Sequence, residues 1–269
     1  MSQMISIVTI CFNSENEIER TMKSVLYQDY KYIEYVIKDG NSKDRTNRIV
    51  KKYQTLFQNK GIYFQHIISE DQGIYDAMNI AVKNCHGDWV IFMNSGDFFY
   101  NNTVVSDIFN NRTWHKADVI YGNTLFRLTR NRGIIANHDI NLIESNWSIC
   151  HQSLFTRKEL LQKFPFDSQY RIVADYDQAL KIKREGCFFQ KVNLIISVMD
   201  REGISIKQIS LRTKENNLLT DKYVLKRKKR SIIIGYVKQV IRKILPELEV
   251  SLFVKKCLKY NVQFISDER

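Results

Sequence analysis

Proline is nearly absent, at 2 of 269 residues, so long disordered linkers are not expected. Cysteine is sparse and scattered: Cys11, Cys85, Cys150, Cys187 and Cys257 form no C-x-x-C pair and are odd in number. That spacing excludes a zinc ribbon and a disulfide framework, and it fits reduced, mostly buried thiols in a cytosolic protein. No apolar run approaches the roughly 20 residues needed to span a bilayer; Ile232–Val237 is the longest candidate. The first twelve residues lack a basic leader, and Ile5, Ile7, Val8 and Ile10 read as a buried strand. There is no internal repeat and no low-complexity segment. Acidic residues are in deficit, 29 against 41 basic, giving a net charge of +12. This balance suits an anionic partner: a nucleoside diphosphate, an anionic lipid surface or a nucleic acid.

What is present is an ordinary globular composition, 44% hydrophobic and 26% charged. The first hundred residues alternate strand and helix. Strands are expected at Ile5–Ile10, Tyr35–Lys38, Tyr63–Ile68 and Trp89–Met93, the last wholly apolar and so central. Helices are expected over Glu15–Gln28, from Ser42 or Asp44 through Tyr53, and over Gly73–Asn84. This alternation predicts an α/β fold, a Rossmann-like, mostly parallel sheet flanked by helices. Ligands of such sheets bind beyond the carboxyl ends of the strands. The segments Thr9–Asn13, Asp39–Asn41, Ser69–Asp71 and Asn94–Asp97 should therefore converge on one edge.

The section 103–205 is less regular. It reads as strands at Val119–Tyr121, Thr124–Leu128 and Leu194–Met199, with helices at Leu154–Lys163 and Tyr176–Gly186. The division expected is a domain over 1–205, with a nucleotide-binding half to about 102 and an acceptor half over 103–205, followed by a helical basic extension over 206–269. From Lys222 through Pro246 there is no acidic residue, and Lys226–Arg230 is an unbroken basic run. Ile233, Val237, Val240, Ile241 and Ile244 then repeat at helical spacing. Lys222–Tyr260 reads as a basic amphipathic element for an anionic membrane surface, or as a helix packing its apolar stripe on the domain.

Several residues suit chemistry on a phosphorylated ligand. Asp97, in the Asn94-Ser95-Gly96-Asp97 loop, suits one ligand of magnesium or manganese; the same residues also make an ordinary strand-end turn. Asp39 can accept from a base N–H or a ribose hydroxyl, or can simply close a turn. Asp175 and Asp177 open a helix, where a carboxylate serves either as a general base or as a helix-end charge. His151-Gln152 can contact an acceptor, a phosphate or a metal, or be structural.

Taken in order, Val8–Asn13, Lys38–Asp44 and Asn94–Asp97 resemble the inverting family 2 glycosyltransferases of the GT-A fold. Asp71–Asn79, His151-Gln152 and Ala174–Asp177 look like the subgroup that builds bacterial capsule, exopolysaccharide and colanic-acid-type polymers. The resemblance covers about residues 4–205. It implies transfer of a sugar from a nucleoside-diphosphate donor, UDP above others, to a glycan or polyprenyl-linked acceptor, with a divalent cation, magnesium or manganese. It puts Thr9, Asn13, Asp39, Asp71 and Asn94 on the nucleotide sugar and Asp97 on the metal. Asp175 becomes the base, and His151, Gln152 and Asp177 face the acceptor. The enzyme would sit at the cytoplasmic face of the membrane. Three departures stand out. Asn94 and Gly96 replace carboxylates of the usual Asp-x-Asp-Asp loop, Ala174 replaces a Glu before the base, and Asp200–Ser205 replaces a Gly-Gly pair. Two other readings compete. A sugar-1-phosphate nucleotidyltransferase would need a Gly-rich loop, which Thr9–Ser14 lacks. A non-enzymatic nucleic-acid or anionic-polymer binder is not expected, because the basic density lies mainly in the tail.

Overall fold

A computed structural model describes residues 2–110, 112, 114–129, 132–144, 149–200, 208–223 and 264–266. Strands β1 (Ile5–Cys11), β2 (Ile33–Asp39), β3 (Tyr63–Ile68) and β4 (Trp89–Phe92) lie in the order β4-β1-β2-β3, all parallel. Their sequences are apolar at successive positions because both faces are covered. Ile5, Ile7, Tyr35, Ile37, Trp89 and Ile91 pack on one side against helices α1 (Ile18–Leu26) and α2 (Thr46–Asn59). Val8, Ile10, Val36, Val90 and Phe92 pack on the other against α3 (Ile74–Lys83). The period of 2 thus fills two cores from one strand set.

After β4 the connections shorten and the sheet turns antiparallel. A short β5 (Phe98–Phe99) and helix α4 (Val104–Phe109) lead to β6 (Val119–Thr129), β7 (Arg132–Ala136) and β8 (Leu154–Arg157). Helices α5 (Lys158–Lys163) and α6 (Ala174–Arg184), strand β9 (Phe189–Asp200), helix α7 (Ile209–Tyr223) and strand β10 (Phe264–Ser266) complete the described elements. β8 bridges antiparallel between β4 and β6, β7 pairs antiparallel with β6 and with β10, and β9 runs parallel to β6. The sheet is therefore mixed: the expected mostly parallel arrangement holds only through β4. Beyond it, β6 and β7 are joined without room for a crossover helix, and such a connection can only be antiparallel.

Two further expectations change. Leu154–Lys163 is not one helix, because Leu154–Arg157 bonds to β4 and β6 before α5 begins. The division at residue 205 also fails for α7, which returns to the acceptor half. Leu219 is fully buried in a core with Val173, Tyr176 and Leu180. The basic run and the amphipathic repeat beyond residue 223 lie outside the described residues.

Candidate active site

The loops after β1, β2, β3 and β4 meet at one edge of the sheet, as the alternation implies. The Gly40 amide donates to the Cys11 carbonyl, Ser69 to Asp39, and Ser95 to Ile10. On this edge the polar side chains sort into a framework layer and a more open layer.

The framework layer corrects several expectations. Thr9, expected at the nucleotide, is fully buried; its hydroxyl donates to the Met93 carbonyl (2.7 Å) and pairs with the Tyr35 hydroxyl (2.8 Å). Asp39 is equally enclosed, with Oδ1 accepting from the Ser42 amide at 2.6 Å and Oδ2 facing the Cys11 thiol. Its carboxylate closes the turn rather than facing a base. Asp71 accepts from buried Lys38 Nζ (2.6 Å), which also donates to the Ser69 and Asp39 carbonyls, so the buried ammonium is fully satisfied. Asp177 is fully buried and faces away from the edge, toward Lys181 (2.6 Å), Lys222 (2.8 Å) and Tyr223 (2.7 Å). Burial would raise its pKa, but those three donors more than offset it and hold the carboxyl below the usual range. It is a packing anchor, not an acceptor contact, and it also takes Lys222 out of any membrane-facing role.

The open layer begins at Phe12, which is 61% exposed. Next to it Asn13 takes a left-handed conformation (φ 49°), with Oδ1 accepting from the Lys43 amide. Gly40 lies beneath: a Cβ there would come within 3.1 Å of the Phe12 ring and 3.2 Å of Asp71 Oδ2. The loop after β4 turns through Gly96 (φ 97°) and presents Asp97.

Across from it, a single 3-10 turn, His151–Ser153, holds both candidate carboxylates. Gln152 Nε2 donates to Asp97 Oδ2 at 2.9 Å. His151 Nδ1 bonds Asp175 Oδ2 at 2.7 Å, and its Nε2 lies 3.1 Å from Asn94 Nδ2. Asp175 Oδ1 accepts from the Tyr75 hydroxyl and the Tyr176 amide, each at 2.9 Å. Burial pushes the Asp97 carboxyl up to about 6, against the lowering effect of Gln152, His151 and Arg20. Asp97 thus lacks sufficient positive charge nearby. Among the described residues no three His, Cys, Asp or Glu side chains are grouped to hold an ion. One carboxylate is nonetheless sufficient for a hard cation that takes its remaining oxygens from phosphates and water.

Sequence reasoning missed a basic cluster beside this loop. Asp200 receives Arg127 through both oxygens (2.7 and 2.8 Å) and Arg20 at 2.7 Å; Arg20 also donates to the Gly96 carbonyl. The two guanidinium groups lie over the Phe98 ring, 4.7 and 5.5 Å from its centre. Arg20 sits on a helix face, Arg127 on a strand and Asp200 at a strand end, so no local motif joins them. Tyr75 was inside a noted motif, but nothing local showed that it would reach Asp175. A groove of about 530 Å³ between α4 and the start of β9, lined by Asp107, Trp114 and Lys191 among others, shares no residue with this site.

Residues 6–174, more than half of the chain, match the glycosyl transferase family 2 pattern. The chain belongs to this family. A Mycobacterium tuberculosis family relative, named as a PGL/p-HBAD biosynthesis glycosyltransferase, is 29% identical over 176 residues, 65% of this chain and 67% of the relative. A second M. tuberculosis glycosyltransferase is 30% identical over 183 residues, 66% of this chain and 68% of the relative. Among solved structures, S. aureus TarS 1–349 in complex with UDP superposes with a TM-score of 0.60 at 20% identity, over 73% of this chain and 60% of that one. The mannosyltransferase PcManGT from Pyrobaculum calidifontis, in complex with GDP-Man and Mn2+, gives 0.61 at 15% identity, over 79% and 61%. The chain thus spans about 60% of these solved chains, and the likeness establishes the GT-A fold.

Proposed function

We propose that this family 2 member moves a sugar from a nucleoside diphosphate to a hydroxyl of a glycan or lipid-linked acceptor, with inversion, in the assembly of a cell-surface glycan. The observation that carries this reading is the turn His151–Ser153, which fixes Asp97 and Asp175 side by side. A single displacement needs those two functions together. One group must neutralise the departing diphosphate, and another must take a proton from the attacking hydroxyl on the opposite side of the anomeric carbon.

Asp97 is the residue that would hold magnesium or manganese. Its partly buried, under-compensated carboxylate fits a cation, which would supply charge neutralisation of the diphosphate. Arg20 and Arg127 add positive potential beside the same loop. The exposed ring of Phe12, above Gly40 and next to Asn13, is a plate on which the base can stack. UDP is the nucleotide expected, as in the TarS complex, and the Asp175–His151 pair supplies the base. An acceptor on a polyprenyl-type lipid would bring the protein to the inner face of the membrane. The basic segment that follows α7 suits an anionic surface there. Among the described residues no helix is long and apolar enough to cross a membrane.

The deciding experiment is thermal stability against UDP, GDP and their sugar conjugates, with and without manganese. A ligand that binds only the folded state raises the melting temperature. A manganese-dependent rise with a uridine nucleotide, lost in Asp97→Ala, supports the reading. No rise with any nucleotide sugar overturns it. Flotation with vesicles of anionic lipid tests the membrane arm: absence of binding removes it without touching the chemistry.

A further inference from the structure

We infer that the acceptor proton goes to Nε2 of His151, that Asp175 is a positioning residue behind it, and that Asn94 is the residue that keeps this nitrogen free to accept. The inference rests on the transferase reading above and names which member of the basic pair does the work.

Asp175 has no free face for an acceptor. It is 8% exposed, and its two oxygens already receive Tyr75, Tyr176 and His151. The imidazole is the more open partner, its side chain 16% exposed against 7% for the carboxylate. Because Asp175 Oδ2 accepts from Nδ1–H, the other nitrogen carries the lone pair. The neighbour of that nitrogen agrees: the Asn94 group 3.1 Å away is an NH2 donor, which cannot face a second N–H. An acceptor hydroxyl needs to donate at this same position. The arrangement is a hydroxyl–imidazole–carboxylate series, in which the carboxylate sets the tautomer and stabilises the imidazolium. The other charged groups around the ring are Asp97, with Arg20 beside it, both on the diphosphate side.

This gives a physical meaning to the departure at position 94. A carboxylate there would accept from Nε2 rather than donate to it. His151 would then lie between two carboxylates, carry a proton on both nitrogens, and have nothing left with which to receive one. An amide leaves the lone pair in place. Asn94 and His151 are in this sense a matched pair.

The step balances as follows. The acceptor oxygen forms its bond to the anomeric carbon as the bond from that carbon to the diphosphate oxygen breaks, and the diphosphate leaves with the electron pair. The hydroxyl proton moves to Nε2, giving an imidazolium on Asp175, and is later lost to water.

The test uses the full chain and hydrolysis of UDP-glucose, UDP-galactose, UDP-N-acetylglucosamine and GDP-mannose, with water as the acceptor and manganese present. His151→Ala is expected to lose roughly 10²–10⁴-fold in kcat. It should keep the nucleotide-induced rise in melting temperature and recover part of the rate when imidazole is added. Asn94→Asp, nearly isosteric, is expected to lose at least ~100-fold in kcat at neutral pH with nucleotide binding retained. A His151→Ala protein within about threefold of wild type overturns the inference, and so does an Asn94→Asp protein as fast as wild type. A His151→Ala loss that imidazole does not relieve, alongside an active Asn94→Asp protein, assigns the imidazole a structural role and overturns it as well. A wild-type protein that neither binds nor cleaves any of these donors overturns the transferase reading, and the inference with it.

Discussion

Glu215 on α7 accepts backbone hydrogen bonds from Ile172 at 2.9 Å and from its neighbour Arg171 at 2.8 Å, on the turn that leads into α6. The carboxylate is buried, so Glu215→Ala would strand two amide donors at roughly 1–3 kcal/mol each. The melting temperature should fall by roughly 5–15 °C. Because this turn delivers Asp175, kcat for nucleotide-sugar cleavage should fall too, at a temperature where the variant is still folded. Nucleotide binding should not change. Calorimetry and a cleavage assay on the same sample check this.

Asp177 gives a pH prediction with a defined sign. Its carboxyl is held below the usual range by Lys181, Lys222 and Tyr223 despite burial. A depressed folded value means that its stabilisation is complete above the unfolded value, near ~4, and is lost as pH falls through the lower folded value. Asp177→Asn should therefore melt below wild type at pH 7, with the gap closing progressively below about pH 4. A gap that stays constant across the series would show that the ion pairs contribute nothing.

Phe12 is exposed, so Phe12→Ala should leave the melting temperature of the free protein nearly unchanged. Base–aromatic stacking is worth about 1–3 kcal/mol, so uridine and UDP should bind roughly 5–150-fold more weakly. Phe12→Trp should restore affinity. Isothermal titration with UDP and with inorganic pyrophosphate separates the two effects, because pyrophosphate has no ring to stack.

Glu34 supplies the complementary control at the opposite end of β2. It is fully buried and accepts from the Ser6 hydroxyl, from the amides of His86 and Gly87, and from the His86 ring. Glu34→Ala should cost about 3–5 kcal/mol, as loss of one partner in a buried ionic network does. The kcat of the folded fraction should be unchanged. Denaturant unfolding beside active-site-titrated kinetics measures both.

The parallel half was legible because its periodicity is doubled. Each strand buries both faces, and Thr9–Asn13, Asp39–Asn41 and Asn94–Asp97 fall at strand ends that a parallel sheet must bring together. The antiparallel half was not, since Leu154–Arg157 has no alternation to separate it from the helix that follows, and only its pairing with β4 and β6 makes it a strand. In the site, sequence found the right loops but not the roles within them. Thr9 and Asp39 sit in the same segments as Phe12 and Asn13, and only burial separates framework from surface. Arg20, Arg127 and Asp200 come from three elements far apart in the chain, joined by long-range contacts that carry no local signal.

The seating of α7 on α6 also sets where this protein can be cut and recombined. Exchange of acceptor halves between glycosyltransferases is an obvious route to new linkages, and a graft ending with β9 at Asp200 would look natural because the strand ends there. Such a graft would carry Asp177 and the Arg171–Ile172 amides into the new host without Lys222, Tyr223 and Glu215. The transplantable unit is longer: it runs through Tyr223, and a chimera built on that boundary takes its own support with it.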